Sequence, residues 1–169
     1  MIPNNLTIVE RQILANQYRL LAKIEKDSYY ETLADILVSG YTGKYQEVFD
    51  VDQDEIPIEI CEETSQILNM YRRINVTVAS LKQEEKEQLN LEKLKFEGFD
   101  ANNDSHYHYG KFMIEKLNLW NEYKEMYFNS HSQFPLMKYK KMLEYLNNRI
   151  VPGNYDITFD DLINMQELI

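Results

Sequence analysis

Leu94-Lys-Phe-Glu-Gly-Phe-Asp-Ala-Asn-Asn-Asp-Ser-His-Tyr-His-Tyr-Gly-Lys-Phe-Met113 lies just past the middle of a 169-residue chain and holds two of its three histidines. Its polar centre reads as a joint between helices. A left-handed Gly98 just beyond a helix end would put Leu94 and Phe99 at the two positions of a Schellman hydrophobic contact. Asp100, Asn102 and Asn103 are good N-cap residues for a following helix, and Asp104 adds negative charge to that helix's first turn. One helix is expected to stop here and another to start, which makes the chain all-α.

The pattern outward from the joint supports this. On the N-terminal side, Thr7 with Glu10 forms a capping box ahead of Ile13, Leu14, Tyr18, Leu21 and Ile24 at helical spacing, predicting a helix from about Ile8 to Lys26 with that stripe inward. Tyr30, Leu33, Ile36 and Leu37 form a second helix ending at Gly40, and Tyr45, Val48 and Phe49 a short third. Pro57 opens a long helix with Ile60, Thr64, Ile67, Leu68, Tyr71, Ile74 and Val78 inward. The charged run Lys82 to Gln88 reads as a solvated helical surface leading to the Gly98 stop. Beyond the joint, Tyr109, Met113, Leu117, Trp120, Tyr123 and Tyr127 read as one helical stripe, widened by Phe112, Leu119 and Phe128. Pro135 opens a helix with Leu136, Tyr139, Met142, Leu143 and Leu146 inward, Pro152-Gly153 marks a turn, and Thr158 with Asp161 starts a last short helix. The expected fold is one multihelical domain over 1–169, with about seven to eight helices.

Composition narrows the function classes. An apolar fraction of 44% and an aromatic fraction of 12% belong to a folded chain. No apolar run approaches the ~20 residues of a membrane span, the N-terminus lacks a signal-peptide layout, and the single Cys61 cannot make an internal disulfide, so the cytoplasm is the expected compartment. The formal charge of -10 is uneven: residues 45–71 carry eight acids and residues 150–169 four, with no Lys or Arg in either stretch. Nucleic acid is a poor partner for such a chain, whereas a basic protein could meet the acidic 45–71 face.

Four ordered motifs, Glu10-Arg-Gln-Ile-Leu-Ala-Asn-Gln-Tyr-Arg19, Ile67-Leu-Asn-Met-Tyr-Arg72, Phe96-Glu-Gly-Phe-Asp-Ala-Asn-Asn-Asp104 and Ser130-His-Ser-Gln-Phe-Pro135 with Tyr139 and Met142 after it, resemble the YfbU family of bacterial proteins over essentially the whole length. The resemblance implies a mostly helical cytoplasmic protein that self-associates, and it brings no reaction, cofactor or catalytic residue. Some larger relatives carry an added N-terminal ribbon-helix-helix segment, which implies a regulatory setting. Only Met1 to Leu6 precede the first helix here, so DNA binding by that route is not expected.

Chemistry-bearing residues are few. Asp50, Asp52 and Asp54 imitate the start of a calcium loop, but Glu55 stands at the glycine position and Cys61 at the glutamate position; Asp100, Asn102 and Asp104 fail the same way at Ser105 and Lys111. Asp100, Asp104, His106, His108 and His131 are the candidate metal ligands. Residues two apart on a helix point about 200° away from each other, however, so His106 and His108 would share an ion only on extended chain. No metal, cofactor or nucleophile motif is complete, and Cys61 reads as a buried structural thiol. Tyr71, Arg72, Arg73 and Tyr107 are candidate interface or ligand contacts, the tyrosines through ring packing and the arginines through pairing with anions. The leading expectation is a non-enzymatic, self-associating interaction or regulatory module. The alternative is a metal-dependent hydrolase or other enzyme using residues 100–108 and His131, and the third a nucleic-acid-associated regulator.

Overall fold

The Thr7 hydroxyl accepts from the Glu10 N-H at 3.2 Å, and the Glu10 carboxylate accepts from the Thr7 N-H at 2.7 Å. Two amides of a helix start are thereby satisfied reciprocally. Helix α1 follows over Ile8–Glu25 and stops on Lys26 in the left-handed conformation. The computed structural model describes residues 3–49, 51, 55–124, 135–149 and 155–169. Eight α-helices and no β-strand occur among them, and none of these helices is long and apolar enough to cross a membrane. Two compact units divide the chain, Met1–Glu55 and Ile56–Ile169.

In the first unit, α2 covers Tyr29–Ser39 and closes as the glycine predicts. Gly40 has φ +70°, and the N-H groups of Tyr41 and Gly40 reach the carbonyls of Ile36 at 3.0 Å and Leu37 at 3.2 Å, the two bonds of a Schellman motif. A short 3-10 turn, Thr42–Lys44, leads into the one-turn α3, Tyr45–Val48. The core here is small: Ala15, Leu33, Ala34, Ile36, Leu37, Tyr45 and Val48. The expected inward stripe of α1 is corrected. Ala15 and Ala22 are its buried residues, Leu14 and Tyr18 are half-buried, and Ile13, Leu21 and Ile24 are exposed. The alanines let the α2 backbone come close, and a helix apolar on two arcs can turn only one of them toward a single neighbour.

In the second unit, α4 runs Ile58–Ser80 from a Pro57 cap and buries Thr64, Ile67, Leu68, Met70, Tyr71 and Ile74, close to the expected stripe. The helix predicted to reach Gly98 does not form. One turn, α5 over Gln83–Lys86, is followed by turns in which Leu89, Leu94 and Phe96 plug into the core. Gly98 does take a positive φ of 86°, but its carbonyl accepts from the Tyr139 hydroxyl at 2.8 Å rather than closing a helix.

Helix α6 spans Ser105–Glu115, with Asp104 itself at the N-cap. The long stripe expected beyond the joint is cut short, because Asn118 (φ 55°) and Trp120 (φ 48°) are both left-handed and Asn121–Tyr123 is a 3-10 turn. Trp120 is nonetheless buried, its indole N-H donating to Asn69 at 3.0 Å. Tyr127, Phe128 and the Pro152-Gly153 turn lie outside the described residues. Helices α7 (Pro135–Arg149) and α8 (Phe159–Glu167) begin where Pro135 and the Thr158/Asp161 capping box indicate. Around α4 the rings of Tyr71, Phe96, Phe99, Tyr123 and Tyr139 pack at centroid distances of 5.0 to 5.9 Å, mostly tilted or edge-on.

Candidate functional site

Residues 100–104 fold on their own side chains. The Asp104 carboxylate accepts from the Asp100 N-H at 3.0 Å, and Asp100 accepts from the Asn102 N-H at 2.8 Å and the Asn103 amide at 2.6 Å. These carboxylates close a turn. The calcium-like spacing of Asp100, Asn102 and Asp104 therefore has a local cause.

Helix α6 then carries His106 inward and His108 outward, as two positions of helical rotation require. His106 stacks on Phe99 with centroids 5.6 Å apart, and its Nε2 lies 2.8 Å from Glu63 Oε2 on α4. Lys140 Nζ on α7 reaches the same oxygen at 3.0 Å. One carboxylate thus ties three helices. Burial works to raise the Glu63 pKa, but the hydrogen bonds from Lys140 and His106 outweigh it and hold the carboxyl below its ordinary value. His106 Nδ1 is buried with no hydrogen-bond partner among the described residues.

Two depressions flank this tie, with Lys140 on the rim of both. A cleft of about 440 Å³ is lined by Asp100, Asn103, Asp104, Pro135, Leu136, Met137 and Lys140. A shallower hollow of about 340 Å³ carries Glu59, Glu62, Glu63 and Glu144, which places part of the acidic 45–71 stretch on one surface. Asp100 and Asp104 therefore share a cleft, His106 lies behind it in the core, and His108 is exposed. An imidazole held by a carboxylate has the form of an acid-base pair, but a general base must come within hydrogen-bond reach of its substrate. A ring that is 2% exposed and absent from the cleft wall is placed instead to hold the helices together. His131 and the Asp50, Asp52 and Asp54 loop lie outside the described residues, among which no group of three or more His, Cys, Asp or Glu side chains could hold a metal.

The other candidates take separate roles. Tyr71 is wholly buried, its ring edge-on to Tyr139 at 5.0 Å and its phenol pushed well up by burial, so it presents no surface to a ligand. Arg72 pairs with Glu122 and lies 5.7 Å from the Trp120 ring. Arg73 has Nε and Nη2 buried with no hydrogen-bond partner among the described residues, and burial lowers its pKa. Tyr107 is half-buried, edge-on to His108 at 5.2 Å with the Lys111 ammonium 5.9 Å from its ring. Cys61 is half-buried rather than enclosed. The Glu63–Lys140 pairing behind the histidine was invisible in the sequence, where Glu63 was one acid in a run and Lys140 one base among three.

The YfbU domain family model matches residues 4–167, spanning both units. The chain belongs to the YfbU family. It is also similar to the UPF0304 protein MJECS11 of Methanocaldococcus jannaschii, with 31% identity over 168 residues, 95% of this chain and 98% of that protein. Neither the family description nor the relative's name assigns a reaction, ligand or partner. The YfbU match takes in all four motifs quoted from the sequence. Within the second unit those motifs supply Ile67, Leu68, Met70, Tyr71, Phe96, Phe99, Tyr139 and Met142 to the buried core.

Proposed function

We propose that the chain works by association rather than by catalysis, as a helical protein–protein contact module whose working surface is the outward apolar face of α1. The observation that carries this reading is the exposure of Val9, Ile13, Leu20 and Ile24 on the side of α1 away from buried Ala15 and Ala22. Scattered single apolar residues on a surface need no explanation, but an apolar row along one helix marks a contact. The use of the acids and imidazole around residues 100–106 in turn closure and helix ties supports the same reading, since among the described residues it leaves the cleft without an evident reacting group.

The test is gel filtration of gently prepared cell extract containing the native chain or the double variant Ile13→Glu, Leu20→Glu. The native chain is expected to elute well above its monomer mass, and the variant at monomer mass with an unchanged helical circular-dichroism spectrum. Elution of the native chain as a monomer would overturn the reading.

A further inference from the structure

We infer that the cleft between the 100–104 turn and the first turn of α7 binds a free α-amino acid with an apolar side chain. The site lies within the second unit and owes nothing to the α1 face.

Its size and walls set the kind of ligand. About 440 Å³ falls within the range of small-molecule sites, which are mostly apolar with a few placed polar groups. Pro135, Leu136 and Met137 supply the apolar wall, and Met137 is 57% exposed, so a ligand's hydrocarbon has surface there to cover. The polar groups come from two elements. The turn contributes the Asp100 and Asp104 carboxylates and the Asn103 amide. Helix α7 contributes Lys140, which follows Leu136 by four residues and so lies on the same helix face.

Groups of both signs retain bonding capacity. Asp104 Oδ2 accepts from the Asp100 N-H at 3.0 Å, while Oδ1 accepts from no described residue. A carboxylate offers about four acceptor sites, so an incoming ammonium finds one without undoing the turn. The Lys140 ammonium has three N-H donors, of which one is directed at Glu63 Oε2 at 3.0 Å, and its side chain is 49% exposed.

This pattern of charge selects the ligand. A simple carboxylate would be repelled by Asp100 and Asp104, and a simple amine would make no use of the remaining Lys140 donors. An α-amino acid carries ammonium, carboxylate and hydrocarbon on one carbon, so each of the three features of the cleft has a counterpart. Glu63 offsets part of the Lys140 charge, which makes the ammonium contact the stronger of the two. The expected order of affinity is therefore amino acid, then the corresponding amine, then the corresponding carboxylic acid.

The experiment is calorimetric titration of the purified full chain with L-leucine, L-methionine and L-phenylalanine, and with the amine and the carboxylic acid that correspond to each. At least one amino acid is expected to saturate at one equivalent per chain, its amine to bind about tenfold more weakly, and its acid not to bind. No saturation with any of the three overturns the inference, and so does an amine or an acid that binds as tightly as its amino acid. Met137→Trp fills the cleft from an exposed position and should abolish binding with the circular-dichroism spectrum unchanged; binding that survives it belongs to another place and overturns the assignment. Lys140→Met should bring the amino acid down to the affinity of its amine while leaving the amine as it was. Equal loss of both would overturn the pairing of the ligand carboxylate with Lys140. The double variant Ile13→Glu, Leu20→Glu should bind the amino acid as the native chain does, so the fate of this site and that of the association reading are decided separately.

Discussion

The two units differ in how much of their apolar side-chain content they enclose. In residues 56–169 an aromatic interior encloses Tyr71, Phe99, Tyr123 and Tyr139, all wholly buried, and the Tyr139 hydroxyl donates to the Gly98 carbonyl and accepts from the Glu97 N-H, while Ile58, Val76, Phe112, Leu117 and Met137 stay exposed. In residues 1–55 the core is built largely of alanine and leucine, while Ile8, Val9, Ile13, Leu20 and Ile24 remain outside. An apolar side chain stabilises a fold only when something covers it, at about 25 cal/mol per Å² of area removed from water. The second unit draws its stability from a large interior, and the first, with a smaller core, leaves a larger share of its large apolar side chains exposed.

The largest effect that tests this difference comes from Trp120→Ala. Trp120 is 7% exposed and hydrogen-bonded to Asn69, so its truncation should lower unfolding free energy by about 3–5 kcal/mol, read from urea denaturation. A loss below about 1 kcal/mol would mean that the ring is not part of an enclosed core.

The same tryptophan shows where the sequence was readable and where it was not. Thr7 with Glu10, Gly40, Pro135 and Thr158 with Asp161 each announced a helix end correctly, because a cap is made by residues within four positions of one another. The end of α6 was missed because it depends on distance: Trp120 leaves the helical pattern to reach Asn69, 51 residues away, and Asn118 tolerates the left-handed turn this needs. The arc of α1 that would be buried was equally hidden, since both arcs are apolar and periodicity does not rank them. At the candidate site the turn chemistry of Asp100 and Asp104 was legible, but Glu63 sits 43 residues from His106, and no local spacing connects them.

A smaller effect sharpens the inward side of the comparison. Glu63 is held below its ordinary value in the folded state, burial being outweighed by the hydrogen bonds from Lys140 and His106. A carboxyl depressed by folding contributes stability that is complete above its unfolded value of about 4.3 and is lost as pH falls through the folded value. Glu63→Gln should therefore lower stability by about 1 kcal/mol at neutral pH, a modest figure because the side chain is still 25% exposed. The difference from the native chain should close as pH drops below about 4. A difference that persists unchanged in acid would show that the charge is not what ties α4, α6 and α7.

The smallest effect is the most discriminating. Ile24 has nearly the volume of a core residue yet is 71% exposed, so Ile24→Ser in the isolated monomer should change stability by less than about 0.5 kcal/mol. Measured on dilute protein, the native and variant melting curves should coincide. At higher concentration the native chain should gain thermal stability, because a contact made only by the folded state adds to it by mass action, and the variant should gain less. Coincident curves at every concentration would mean that nothing covers α1. A large loss in dilute protein would mean that Ile24 already packs within the monomer, and the contrast between the two units would then be smaller than its exposure indicates.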